Sequence, residues 1–143
     1  MAIDLTALKS ELLNDPATLG YAAPRTAGNT QALADLLNQI RGSIQINRGV
    51  IPAYEIINAI VPADWSALSA AEKQRIELIT GAGQVDVKNA NVRSQFLAAF
   101  GAGTTTRTNL GGLQNRDGSG AEQLFGADVT VSNAGVAAAL ALP

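Results

Sequence analysis

The chain contains no cysteine and no histidine among its 143 residues. Those two absences exclude a disulfide frame, a thiolate or imidazole metal site, a Cys or Ser–His nucleophile and a histidine pH switch. Charge is scarce too: 10 basic and 12 acidic residues, where a soluble chain of this length carries roughly 36. The net charge of −2 and a pI near 5.0 argue against nucleic-acid binding driven by net charge. Aromatic residues number six, and none of them interleaves with the seven scattered arginines in the manner of a base-stacking platform. No stretch approaches the ~18 apolar residues of a membrane span; the longest apolar run, Gly135 to Leu142, is too short. The N-terminus reaches Asp4 with no basic flank before an apolar run, so no secretory signal is expected.

What is present is a hydrophobic fraction of 47% in a 14.7 kDa chain. A folded surface of about 7,000 Å² is expected at this mass, with about two thirds of the extended chain's surface buried, which is enough for one domain with its own core. So few charges leave much of that exterior neutral or apolar. Such a skin fits a subunit partly covered by neighbours; the plainer alternative is a neutral Ala, Gly, Thr and Asn surface with no partner.

Periodicity predicts a mainly α fold of six or seven short helices, packed as one orthogonal helical domain over residues 1–143 with short extended linkers. Asp4 is a natural N-cap for a helix over Leu5–Leu13, ended by Asn14-Asp15-Pro16. A second helix starts near Asn29 or Thr30, carries Leu33, Leu36, Leu37 and Ile40 on one stripe, and finds a stop in Gly42. Ser43–Val50 alternates as a strand does but has no evident partner, and Pro52 opens a helix that turns Ile56, Ile57 and Ile60 inward. Val61–Trp65 reads as a break. Ser69-Ala-Ala-Glu72 is a capping box for a helix carrying Ile76, Leu78 and Ile79. Gln84–Val87 reads as extended, and a further helix over about Asn91–Phe100 places Val92, Phe96, Leu97 and Phe100 on its stripe. Another follows over Thr104–Leu113, capped by Thr104 or Thr105. Asn115–Gly120 reads as a flexible loop, and Ser119-Gly-Ala-Glu122 as a second capping box, for a short helix ending at Gly126. Val129–Val131 is extended, and Ser132 or Asn133 caps a last helix through Leu140.

Chemical motifs are thin. Gly101-Ala-Gly103-Thr-Thr-Thr-Arg107 looks like a phosphate cradle, but it lacks the lysine of a P-loop, and a helix stop followed by a Thr cap explains every residue. Asp117-Gly-Ser-Gly-Ala-Glu122 offers two acids where calcium asks for six or more oxygens. Asp64, Glu72, Glu77, Asp86 and Glu55 are the acids available for general acid–base work, and no spacing forces any two together. No catalytic, metal or cofactor residue is assigned, no cofactor is expected, and the reading is non-enzymatic. The polar run Glu72–Arg75 reads as a solvated face. As contact residues the sequence offers Trp65, an interface anchor or a core plug, then Arg41 and Arg48 as a small basic spot, and finally Val136, Leu140 and Leu142 in a C-terminal segment, 127–143, that stays apolar to its end. Such an end is clamped by its own core or docked on a neighbouring subunit; the latter is slightly favoured.

Several phrases together carry a likeness: Asn14-Asp-Pro-Ala-Thr-Leu-Gly-Tyr21, Ala34-Asp-Leu-Leu-Asn38, Ala59-Ile-Val-Pro-Ala-Asp-Trp65 running on to Glu72, Phe100-Gly-Ala-Gly-Thr104, and Ala121-Glu-Gln-Leu-Phe-Gly126. The chain resembles small proteins encoded by tailed bacteriophages and prophages, nearly end to end. The resemblance implies a phage origin and a virion-associated protein; it brings no active site. The expected function is therefore a structural component of the virion, in head, neck or tail, assembled in the host cytoplasm. Its expected partners are other virion proteins and copies of itself, with no small-molecule substrate, no membrane and no nucleic acid. The competing expectation is a non-virion phage accessory protein that binds a host protein.

Overall fold

The computed structural model describes residues 2–143. Ten helices and four short strands follow in chain order among the described residues: α1 (Leu5–Asn14), α2 (Ala22–Thr26), α3 (Thr30–Asn38), β1 (Arg41–Asn47), β2 (Val50–Pro52), α4 (Ala53–Ala59), α5 (Pro62–Ser66), α6 (Ala70–Thr80), β3 (Gln84–Asp86), α7 (Ala90–Ala99), α8 (Thr105–Gly112), β4 (Asn115–Gly118), α9 (Gly120–Phe125) and α10 (Asn133–Leu140). The fold is mainly helical, as the periodicity predicts, but with ten helices where six or seven are expected. The extra ones are short. Two of them, α2 and α5, have five residues each; α5 falls where the sequence reads as a break, and no element is predicted from sequence where α2 lies. Pro62 explains α5: its fixed φ suits the first turn of a helix, where its missing N–H costs nothing.

The caps fall where the side chains predict. Asp4 accepts from the amides of Thr6 and Ala7 at 2.9 and 3.0 Å, and Asn29 from Ala32 at 3.0 Å. Both capping boxes form, Ser69 with Glu72 and Ser119 with Glu122. The last helix is capped by Ser132.

Two expectations about strands are corrected. The 43–50 segment is not a lone strand, because β1 pairs with β4, and β4 occupies residues read from sequence as loop. Gly118 makes this possible: a Cβ there would stand 2.2 Å from Cγ1 of Ile46, so only glycine lets the two segments approach. The second sheet is β2 against β3, antiparallel, with Ile51 opposite Val85. The helical stripe drawn through Ile40 to Gly42 also fails. Helix α3 ends at Asn38, Ile40 is 58% exposed, and Gly42 lies in β1.

The chain divides into two compact units: residues through Ile46 with Asp117–Pro143, and Asn47–Arg116. Each has its own hydrophobic cluster. In the first, Leu8 and Leu12 of α1, Leu33 and Leu37 of α3, Tyr21, and Val136 of α10 are fully buried. Helix α10 packs on both α1 and α3. The Val129–Val131 segment joins no strand; instead the Asn38 side-chain amide donates to the Val131 carbonyl at 2.7 Å and accepts from its N–H at 2.8 Å. One side chain thus does what a neighbouring strand would do for that residue's backbone. In the second unit, Ile51, Ile56, Ile76, Val85, Phe96 and Phe100 form the core.

Candidate interaction surfaces

The second unit carries two apolar grooves. The first lies between α4, α7 and α8. Ile56 comes from α4, Val92, Phe96 and Leu97 from α7, and Leu110 from α8. Its volume is about 160 Å³. Arg93 and Arg107 line it as well, and among the described residues neither guanidinium makes a hydrogen bond or ion pair. An adjoining cleft of about 130 Å³ shares Val87, Arg93 and Gln114 with this groove and adds Lys88.

The second groove lies between α4, α5 and α6, lined by Ile57, Ile60, Pro62, Trp65, Ile76 and Thr80, with Glu77 at its side. It holds about 370 Å³. Large apolar side chains of the second unit also stand in water: Leu78 is 81% exposed, Tyr54 62%, and Ile57, which lines the second groove, 58%. This corrects the inward placement of Ile57. Residues two apart on a helix point about 200° away from each other, so burying Ile76 turns Leu78 outward.

The residues singled out from sequence are scattered. Trp65 is half-buried against the second core, with the Lys73 ammonium 5.8 Å from its ring centroid, a cation–π distance. It is both a plug and part of the second groove's wall. Arg48 forms an ion pair with Glu55 at 2.7 Å, so its charge is compensated on the spot. The bond to Glu55 raises the Arg48 pKa and holds the Glu55 carboxyl below the usual range. Arg41 lies in the first unit, where its guanidinium donates weakly to the Leu36 carbonyl at 3.4 Å. In the C-terminal segment Val136 has no exposed surface, and Leu140 packs on the same core while staying partly exposed. Leu142 is half-buried, and Lys9 donates to the Leu142 carbonyl at 2.6 Å and to a Pro143 oxygen at 3.1 Å. The segment is held by its own chain.

Four of the five acids considered for catalysis are engaged in structure, and the fifth, Glu77, stands at the side of the second groove. Besides Glu55, the Asp64 carboxylate accepts from the Thr106 hydroxyl at 2.6 Å and its amide at 3.1 Å. Glu72 accepts from the Ser69 amide at 2.8 Å, and Asp86 from the Lys88 amide at 2.9 Å. The glycine-rich Gly101–Arg107 stretch is a helix stop and cap, with Thr104 accepting from the Arg107 amide. Glu122 is buried; one carboxylate oxygen accepts from Ser119, the other from Asp128, both at 2.9 Å. Sequence reasoning missed Tyr54, Ile57, Leu78, Arg93 and Arg107. For Leu78 the signal was present in the helical angle; for the arginines it was not, since their shared groove depends on how α7 and α8 pack.

No helix among the described residues is long and apolar enough to cross a membrane. No protein-family model, no curated protein and no solved structure matches the chain.

Proposed function

We propose that this chain is a non-enzymatic structural component of a tailed-phage virion, acting by assembly with other virion proteins and with copies of itself. The observation that carries the assembly part is the exposed apolar surface of a charge-poor chain: Leu78, Tyr54, Val50, Ile57, Ile40, Leu97 and Leu13 are each 49% exposed or more. Single exposed leucines are ordinary, but seven large apolar side chains in the open on a chain this short of charge, with Leu97 and Ile57 at the two grooves, mark surface suited to a partner. Burial at about 25 cal/mol per Å² over a standard interface of about 1,600 Å² yields large gross stabilisation, from which association entropy is subtracted. The phage part rests on the sequence resemblance.

Mass spectrometry of purified particles tests the proposal. The chain is expected in them at a fixed ratio to the other structural proteins. Absence from the particle, with capture of a host protein by pull-down from infected cells, supports the accessory-protein reading instead.

A further inference from the structure

We propose that the α4–α7–α8 groove binds an acidic segment of a partner protein, through one large apolar side chain flanked by carboxylates. This deepens the assembly reading by giving the chemistry of one contact. The groove's size speaks first. Small-molecule sites occupy about 300–1,000 Å³, whereas a cavity of about 150 Å³ is filled by a single benzene. At about 160 Å³ this groove takes one leucine- or phenylalanine-sized side chain.

Charge complementarity supplies the rest. Although the chain as a whole is net negative, Asn47–Arg116 holds seven Lys and Arg against five Asp and Glu. Four of those five acids are already engaged: Glu55 by Arg48, Asp64 by Thr106, Glu72 in its capping box and Asp86 by the Lys88 amide. No acidic side chain lines the groove or its adjoining cleft. Arg93 and Arg107 stand at the apolar wall with their charges uncompensated, and Lys88 continues the same sign into the cleft. A carboxylate arriving beside an anchored side chain meets guanidinium groups suited to paired hydrogen bonds, while a lysine-rich segment is repelled. The half-exposed Leu97 adds apolar wall at the mouth.

The test uses the intact ¹⁵N-labelled chain and three synthetic peptides: acetyl-Asp-Glu-Phe-Glu-Asp-amide, the same peptide with Ala for Phe, and acetyl-Lys-Lys-Phe-Lys-Lys-amide. The first is expected to shift the amides of Val92, Phe96, Leu97 and Leu110 saturably. Each of the other two should bind at least tenfold more weakly. Arg93→Glu and Arg107→Glu should each weaken the first peptide at least tenfold with the melting temperature unchanged; if either variant melts early, weakening of the first peptide by added salt on the wild-type chain provides the same reading. Equal binding of the lysine peptide, shifts confined to other surfaces, or no saturable shift would overturn the proposal. So would concentration-dependent shifts at these amides without peptide, which assign the groove to a second copy. Because the isolated chain is used, the outcome stands whether or not the chain is found in particles.

Discussion

Thr106 shows how a single buried polar group organises its surroundings. Its side chain is wholly buried, its hydroxyl donates to Asp64 and accepts from the Val61 amide at 2.8 Å, and α8 is thereby tied to the break between α4 and α5. Thr106→Val keeps the shape and removes both bonds, leaving a part-buried amide and carboxylate short of a partner. A loss of about 1–3 kcal/mol in urea unfolding is expected; an unchanged midpoint would show that the bonds are dispensable. Asp15 is a second such case. Burial pushes its carboxyl up, but the amides of Leu19, Gly20 and Tyr21 and the Arg25 charge outweigh this and leave it below its ordinary value. A depressed folded-state value gives stability that is present above the unfolded value of about 3.9 and lost as pH falls through the folded one. Asp15→Asn should therefore destabilise the chain near neutrality, and the gap to wild type should narrow below about pH 3.9. Asn also tolerates the left-handed φ of 42° at this site, so the backbone stays unstrained and the loss comes from the charge and from the one acceptor oxygen that becomes an NH2. Glu11 runs the other way: burial raises its carboxyl, so its contribution is present at low pH and fades as pH rises through the folded value.

The two capping boxes share one sequence pattern in two settings. Ser69 and Glu72 cap α6 from an exposed position, whereas Ser119 and Glu122 cap α9 from inside the first unit. Removing Glu122 strands the amides of both Ser119 and Asp128, one buried and the other part-buried. Glu122→Ala is expected to cost about 2–3 kcal/mol, and Glu72→Ala clearly less, because water reaches the orphaned amide. Equal costs in thermal melts would contradict this account of burial. Elements with local signals were legible: Asp4, Asn29, Ser69, Thr104, Ser119 and Ser132 mark six helix starts from side-chain chemistry alone. What the sequence hid was non-local. Residues 115–118 are Asn-Arg-Asp-Gly, a turn-like run that becomes β4 only because β1 lies beside it and Gly118 admits Ile46. Periodicity predicts Ile57 inward, yet a helix of seven residues buries one narrow stripe, and Ala53, Ile56 and Ala59 fill it.

Two hydrophobic clusters, each closed by its own residues, were not visible in composition, which shifts nowhere along the chain. The grooves were equally hidden, since they arise where α4 meets α6 and α8. The second unit is contiguous in sequence and has a core built on Phe96 and Phe100. A fragment of residues 47–116 is therefore expected to fold alone, with helical circular dichroism and a cooperative transition. Trp65, the single tryptophan, belongs to this unit and reports on it specifically. Its fluorescence in the fragment should follow the transition seen in the full chain; a featureless drift would show that the cluster cannot stand without the rest.

The central claim is that the exposed apolar side chains are a surface for other proteins of the particle. Oxidative footprinting of Tyr54, Ile57 and Leu78, in the isolated chain and in purified particles, tests it most directly. The account predicts rapid labelling of all three in isolation and strong protection in the particle. Equal labelling in both states would contradict it.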